Sequence, residues 1–152
     1  MTGLKHDAWV LVCDGRKALF LKNKGDGAHP ALETLAELEH DDAPSRALGT
    51  DGPGRTFSGA GGRRSAIEPA DLHALAEERF LKNVAERLNR DAGEKQFRSL
   101  VVVAPPKALA VLRRELSAQA NAAVQSEFDK DLVKLPVYEI EKHLAKLLSD
   151  KA

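Results

Sequence analysis

The run from Phe97 to Ala104 constrains the fold more than any other part of this sequence. It ends in a leucine, three consecutive valines and an alanine, and Pro105 and Pro106 follow it directly. An apolar, β-branched run without polar alternation is typical of a strand that is buried on both faces. The sequence therefore predicts a sheet with helices packed on its faces.

The N-terminal part of the chain has the pattern of an antiparallel meander. The apolar runs Ala8–Cys13 and Lys17–Lys22 are separated by Asp14, Gly15 and Arg16. We predict a hairpin here, with Gly15 supplying the positive φ that many tight turns need. The mixed pattern of Ala31–Glu39 is compatible with a strand or a helix, and we interpret it as the third strand.

An amphipathic helix is predicted after residue 68. Pro69 and Asp71 suit its first turn, and Gly93 suits its end. Apolar residues recur at spacings of three and four and are expected on one buried face. These residues are Leu72, Leu75, Ala76, Phe80, Val84, Ala85 and Leu88.

The remaining elements alternate between helix and strand. A helix from Pro106 to about Ala120 and a strand from Ala123 to Phe128 precede a last helix that begins at Pro136. We expect this last helix to bury Val137, Ile140, Leu144 and Leu148. The predicted order is β-β-β-α-β-α-β-α, which is an α/β (α+β) fold with a mixed sheet and right-handed crossovers.

Length and composition suggest an ordinary globular protein. The chain has 152 residues, of which 43% are hydrophobic and 30% charged, and we predict one domain over residues 1–152. No apolar run approaches the roughly 18 residues of a membrane span, and the first residues do not resemble a signal peptide. We expect a soluble, cytoplasmic protein without membrane contact, in which the lone cysteine, Cys13, is a small core residue.

The Gly/Arg segment, residues 41–68, has neither helical nor strand periodicity. Between residues 46 and 64 it carries four arginines and one aspartate, a local charge of +3 on a chain of zero net charge. Compact domains seldom contain so long an unpatterned connection unless it is functional or disordered. Glycine allows close backbone approach and arginine grips phosphate bidentately. We therefore predict phosphate or nucleic-acid contact through Arg46, Arg55, Gly61, Gly62, Arg63, Arg64 and Ser65.

An enzymatic alternative rests on carboxylates near strand ends. Asp14, Asp129 and Asp131 lie near strand ends as in a two-metal phosphoester hydrolase, but the central strand ends in Val103–Pro106 without a further acid, which favours turn and capping roles. The histidines show no zinc-ligand spacing, and the serines show no nucleophile motif. We predict no catalytic residue, metal or cofactor, and a binding protein rather than an enzyme.

Several motifs resemble the bacterial host attachment protein family over nearly the whole chain. They are Trp9–Ala18, Gly49–Phe57, Gly61–Ser65, Val102–Pro106, Glu127–Leu132 and Leu135–Pro136. The family name implies attachment to host cells and gives no molecular mechanism. A surface protein that contacts a host is therefore a second alternative.

The order of elements is also similar, more distantly, to the middle domain of archaeal and eukaryotic peptide-chain release factors and Pelota. This resemblance implies a ribonuclease-H-like fold in which a Gly-Gly-Gln loop precedes Ser-Ala and a long helix. Here Gly61, Gly62, Ser65 and Ala66 align with that loop only with one extra residue, and Arg63 and Arg64 stand where the glutamine is expected. The resemblance thus implies ribosomal RNA, tRNA or the ribosome as partner, without peptidyl-tRNA hydrolysis. The sequence assigns no oligomeric state.

Overall fold

The computed structural model describes residues 4–27, 29–39 and 69–151. These ranges contain five strands and four helices. The strands are β1 (Trp9–Cys13), β2 (Lys17–Asn23), β3 (Leu32–Glu39), β4 (Leu100–Ala104) and β5 (Val124–Asp129). The helices are α1 (Pro69–Gly93), α2 (Pro106–Glu115), α3 (Ala118–Ala123) and α4 (Val137–Lys151).

The five strands form one mixed sheet in the order β3-β2-β1-β4-β5. The β1–β2 and β2–β3 pairs are antiparallel, whereas the β1–β4 and β4–β5 pairs are parallel. The predicted meander, the predicted crossovers and the mixed α/β class are therefore confirmed. Ala31–Glu39 is a strand from Leu32 onward, which decides between the two interpretations of its pattern.

Both faces of the sheet are covered by helices. On β1, Trp9, Leu11 and Cys13 belong to the core beneath α1, α2 and α3, while Val10 and Val12 belong to the core beneath α4. All five residues of β4 are buried as well. The central apolar run is thus a strand buried on both faces, as its composition predicts.

The predicted helix from Pro106 to Ala120 is wrong as a single element. Helix α2 ends at Glu115, and Leu116 and Ser117 have extended backbone before α3 begins. The Ser117 hydroxyl accepts a hydrogen bond from the Ala120 N–H at 3.1 Å, which caps α3. The Ser117 N–H donates to Asn89 Oδ1 at 2.7 Å, so α1 stabilises the break.

A buried asparagine fixes the start of β3. Asn23 is fully buried, and its Nδ2 donates to the Leu4 carbonyl at 2.9 Å. Its Oδ1 accepts from the backbone N–H groups of Gly25 and Ala31, each at 2.9 Å. One side chain therefore ties the N-terminal turn to the β2–β3 connection. No described helix is long and apolar enough to cross a membrane.

Candidate functional site

The described residues on either side of the Gly/Arg segment lie at one edge of the sheet. Strands β1, β4 and β5 run parallel and end at this edge, which we call the carboxyl edge. Strand β3 runs in the same direction, because two antiparallel pairings separate it from β1, and it ends there at Glu39. Helix α1 precedes β4, so its N-terminal turns lie at the same edge. The described residues on either side of the segment thus meet at the carboxyl edge.

The turn between β1 and β2 is tightly organised. Asp14 Oδ1 accepts from the backbone N–H groups of Arg16 at 2.8 Å and Lys17 at 2.9 Å. The Asp14 N–H donates to the Lys17 carbonyl at 3.0 Å. The carboxylate therefore caps the turn, in agreement with the structural interpretation of Asp14.

Gly15 serves a different purpose from the one predicted. Its φ lies outside the left-handed range, so the expectation of a positive φ is wrong. A Cβ at this position would instead lie 2.8–2.9 Å from three side-chain atoms of Glu77. Glycine is needed because α1 passes directly over the turn.

The N-terminal turns of α1 lie outside the core. No residue from Leu72 to Arg79 is buried, and Phe80 is the first buried residue among those of the helix whose burial is described. Leu72 and Leu75 are each 53% exposed, so their predicted place on the buried face is wrong. A helix turns about 100° per residue, so Leu75, nine residues before the buried Val84, lies about 180° around the axis from it. The helical angle summed from Leu75 to Val84 would have shown that Leu75 lies outside the buried face, whereas the spacing between neighbouring apolar residues did not.

Cations near the carboxyl edge fall into two groups. Lys17 is paired with Glu37 at 3.1 Å. Three exposed lysines that follow strand ends have no ion pair within the described ranges, and sequence reasoning missed them: Lys107, Lys130 and Lys134. Asp129 and Asp131 flank Lys130, so the described edge has little net charge. Concentrated positive charge at this edge would have to come from the Gly/Arg segment.

Metal ligation and a reactive thiol each require a particular arrangement of side chains. No group of three or more His, Cys, Asp or Glu side chains among them is arranged to hold a metal ion. Cys13 is fully buried, and burial, with a smaller effect of the Asp14 carboxylate, raises the pKa of its thiol far above the ordinary value. The prediction that Cys13 is a core residue is confirmed.

The predicted binding residues themselves lie outside the described residues. These are Arg46, Arg55, Gly61, Gly62, Arg63, Arg64 and Ser65. Their grouping and their role in binding stay predictions. What the structure adds is the place of the residues that flank them, Glu39 at the end of β3 and the first turns of α1.

A family comparison identifies the class of protein. The model of bacterial archaeo-eukaryotic release factor family 12 matches residues 7–144. The match covers nearly the whole chain, so the chain belongs to this family. The release-factor part of the sequence resemblance is therefore confirmed, whereas the host attachment naming has no support.

The fold is also similar to a solved translation factor. The crystal structure of the archaeal translation termination factor aRF1 aligns with a TM-score of 0.48 at 15% sequence identity. The alignment covers 94% of this chain and 37% of that factor, so the chain spans little more than a third of its length. A search of curated proteins gave no match.

Proposed function

We propose that this chain is a cytoplasmic, ribosome-associated binding domain that contacts RNA phosphate through the Gly/Arg segment. Arg46, Arg55, Arg63 and Arg64 supply the cations, and Gly61–Gly62 allow the backbone to approach closely. The partner is ribosomal RNA or tRNA on the ribosome, and the domain acts without chemistry of its own.

Family membership is the observation that carries this proposal. The matched family is defined by its relation to factors that act in translation, and the match extends over both cores of the sheet. The sequence then distinguishes this chain from a hydrolytic factor, because two arginines occupy the place where the resemblance implies glutamine. Arginine binds phosphate bidentately, whereas the hydrolytic role is tied to the glutamine.

The geometry of the carboxyl edge supports the choice of binding surface. The described elements on either side of the Gly/Arg segment meet beside the β1–β2 turn, and we place the proposed phosphate contact on this side of the molecule. Residues 46–64 of this segment carry a net charge of +3 and the rest of the chain −3, and many of the surface cations elsewhere are already paired with acids. Attraction to a polyanion is therefore expected to be local to this segment.

Sedimentation with ribosomes tests the proposal directly. Tagged protein should co-migrate with ribosomal particles in a sucrose gradient at low salt and leave them at high salt. If four arginine–phosphate contacts form to single-stranded RNA, log K against log salt should have a slope of about −3. Binding that does not respond to salt would contradict a phosphate-based contact.

A matched pair of arginine variants tests the site. The double substitution Arg63→Ala/Arg64→Ala should weaken binding broadly across RNA sequences. The control is Arg113→Ala/Arg114→Ala, which makes the same charge change at adjacent arginines elsewhere. Arg113 pairs with Glu127 at 2.7 Å and Arg114 with Glu78 at 2.9 Å, so both already have acidic partners in the folded protein. Equal losses of binding in both double variants would reduce the effect to net charge and contradict the assigned site.

The two alternatives have no supporting observation in the described structure. A phosphoester hydrolase would need Asp14, Asp129 or Asp131 at a metal, yet Asp14 Oδ1 is occupied by two backbone N–H groups. Host-cell attachment predicts extracellular protein in a cell fractionation. Recovery of the chain only with the ribosomal fraction would count against it.

A further inference from the structure

The contact between Gly15 and Glu77 is closer than any side chain at position 15 would permit. A Cβ built on Gly15 lies 2.8 Å from Glu77 Cδ and 2.9 Å from both its Cγ and its Cβ. A change of rotamer can move Cδ and Cγ, but Cβ is bonded to the helix backbone. A residue larger than glycine therefore forces either the turn or α1 to move.

The turn is the stiffer of the two partners. Three hydrogen bonds of 2.8–3.0 Å hold Asp14, Arg16 and Lys17 in place, and both flanking strands are paired within the sheet. In the N-terminal turns of α1, in contrast, no residue from Leu72 to Arg79 is buried. Elements with few buried contacts yield at low free energy. A side chain at position 15 would thus displace the start of α1.

We infer that Gly15 is a positioning residue for the binding segment. Its missing side chain lets α1 lie directly over the β1–β2 turn, which determines the place of the first turns of α1, the element that follows residues 41–68 in the chain. The effect on RNA binding rests on the proposed function, whereas the effect on helix position does not. Glu77 is the partner through which Gly15 acts.

Two glycine-to-alanine variants separate this role from a general effect of the substitution. Gly15→Ala introduces the close contact with Glu77. Gly93→Ala, at the other end of the same helix, places its Cβ in open space, with Gln119 Oε1 nearest at 3.9 Å. Neither glycine has a positive φ, so alanine brings no backbone strain at either site.

Amide hydrogen exchange is the first measurement, because it needs no ligand. Gly15→Ala should accelerate exchange in residues 72–79 and leave residues 84–92 unchanged, whereas Gly93→Ala should not affect residues 72–79. The double variant Gly15→Ala/Glu77→Gly removes all three opposing atoms. Compared with Glu77→Gly alone, it should show no further acceleration. Unchanged exchange in Gly15→Ala would overturn the inference.

Ribosome or RNA binding is the second measurement. Loss of one charge-assisted contact corresponds to a roughly tenfold weaker affinity, and we expect about this loss for Gly15→Ala and none for Gly93→Ala. In the Glu77→Gly background, Gly15→Ala should cause no loss. A Gly15→Ala variant that binds RNA with the same affinity as the wild-type protein would overturn the positioning role. Wild-type protein that binds no RNA at any salt would instead refute the proposed function, and hydrogen exchange would still decide whether Gly15 positions α1.

Discussion

The two halves of α1 are one continuous helix in two different environments. From Phe80 to Ala92 its inner face is buried against β1, β2 and β4, with Val84, Ala85 and Leu88 fully enclosed. From Leu72 to Arg79 no side chain is buried, and Leu72 and Leu75 face away from the core. The helix therefore continues for about two turns beyond the sheet that it packs on.

The two halves of α1 therefore differ in how much they contribute to the stability of the protein. Burial of apolar side chains supplies most of the free energy that holds a helix to a sheet, and only the C-terminal half of α1 has it. The N-terminal half is held by polar contacts at its side, such as Glu78, which pairs with Arg114 of α2 at 2.9 Å and with Lys82 at 3.8 Å. Exposed pairs of this kind contribute about 0–1 kcal/mol each. Core packing therefore places few constraints on the residues of the N-terminal half.

Equivalent leucine truncations in the two halves should give the largest contrast. Leu88→Ala removes a fully buried side chain and should lower the free energy of unfolding by about 2–5 kcal/mol. Leu75→Ala removes a side chain that is 53% exposed and should change it by no more than about 0.5 kcal/mol. Urea unfolding monitored by circular dichroism measures both. A large loss for Leu75→Ala would mean that its half of the helix is packed in solution.

Two asparagines on α1 should give the next largest contrast. Asn89 Nδ2 donates to the Glu115 carbonyl at 3.1 Å, and its Oδ1 accepts from Ser117 N–H. Asn89→Ala leaves these partly buried groups unpaired and should cost about 1–3 kcal/mol. Asn83→Ala, an exposed asparagine without such bonds among the described residues, should cost less than about 0.5 kcal/mol. Equal unfolding midpoints for the two variants would show that Asn89 does not anchor the α2–α3 break.

The thiol beneath α1 should make stability depend on alkaline pH. Burial raises the pKa of Cys13 in the native protein, whereas in the unfolded chain the thiol ionises near pH 8.5. Above that pH the unfolded state binds fewer protons than the native state, so stability should fall by up to about 1.4 kcal/mol per pH unit. Below it, the thiol is protonated in both states and contributes no pH dependence.

The control is Cys13→Ala, which lacks the titrating group. Urea midpoints measured from pH 7 to pH 10 should decline more steeply for wild type than for the variant. Identical slopes would show that α1 does not keep the thiol closed from solvent. That result would mean that the C-terminal half of the helix, like its N-terminal half, does not exclude solvent.

Most of the fold was predictable because burial leaves a local pattern. Each of the apolar runs that form β1, β2 and β4 can be recognised within a few residues. In the structure, the side chains of these strands alternate between the two cores. The break after Glu115 was missed, because it depends on Asn89, 28 residues away from Ser117. Ser117 alone is compatible with a cap or with an exposed helical position.

The candidate site was predictable in composition but not in geometry. Four arginines within a glycine-rich stretch are visible in the sequence, and family membership agrees with a role in translation. No local pattern shows that Gly15 lies beneath Glu77, or that Leu75 points away from the sheet. The first depends on two elements far apart in the chain, and the second on helical angle accumulated over several turns.

The order and type of the elements follow from side-chain periodicity, since alternation and helical spacing each express how a short stretch meets one apolar surface. The meeting of β3, the β1–β2 turn and α1 at the carboxyl edge follows from strand pairing and helix packing. Those contacts join residues that are distant along the chain. Their free energy exists only after the sheet has formed, so no single stretch of sequence encodes it.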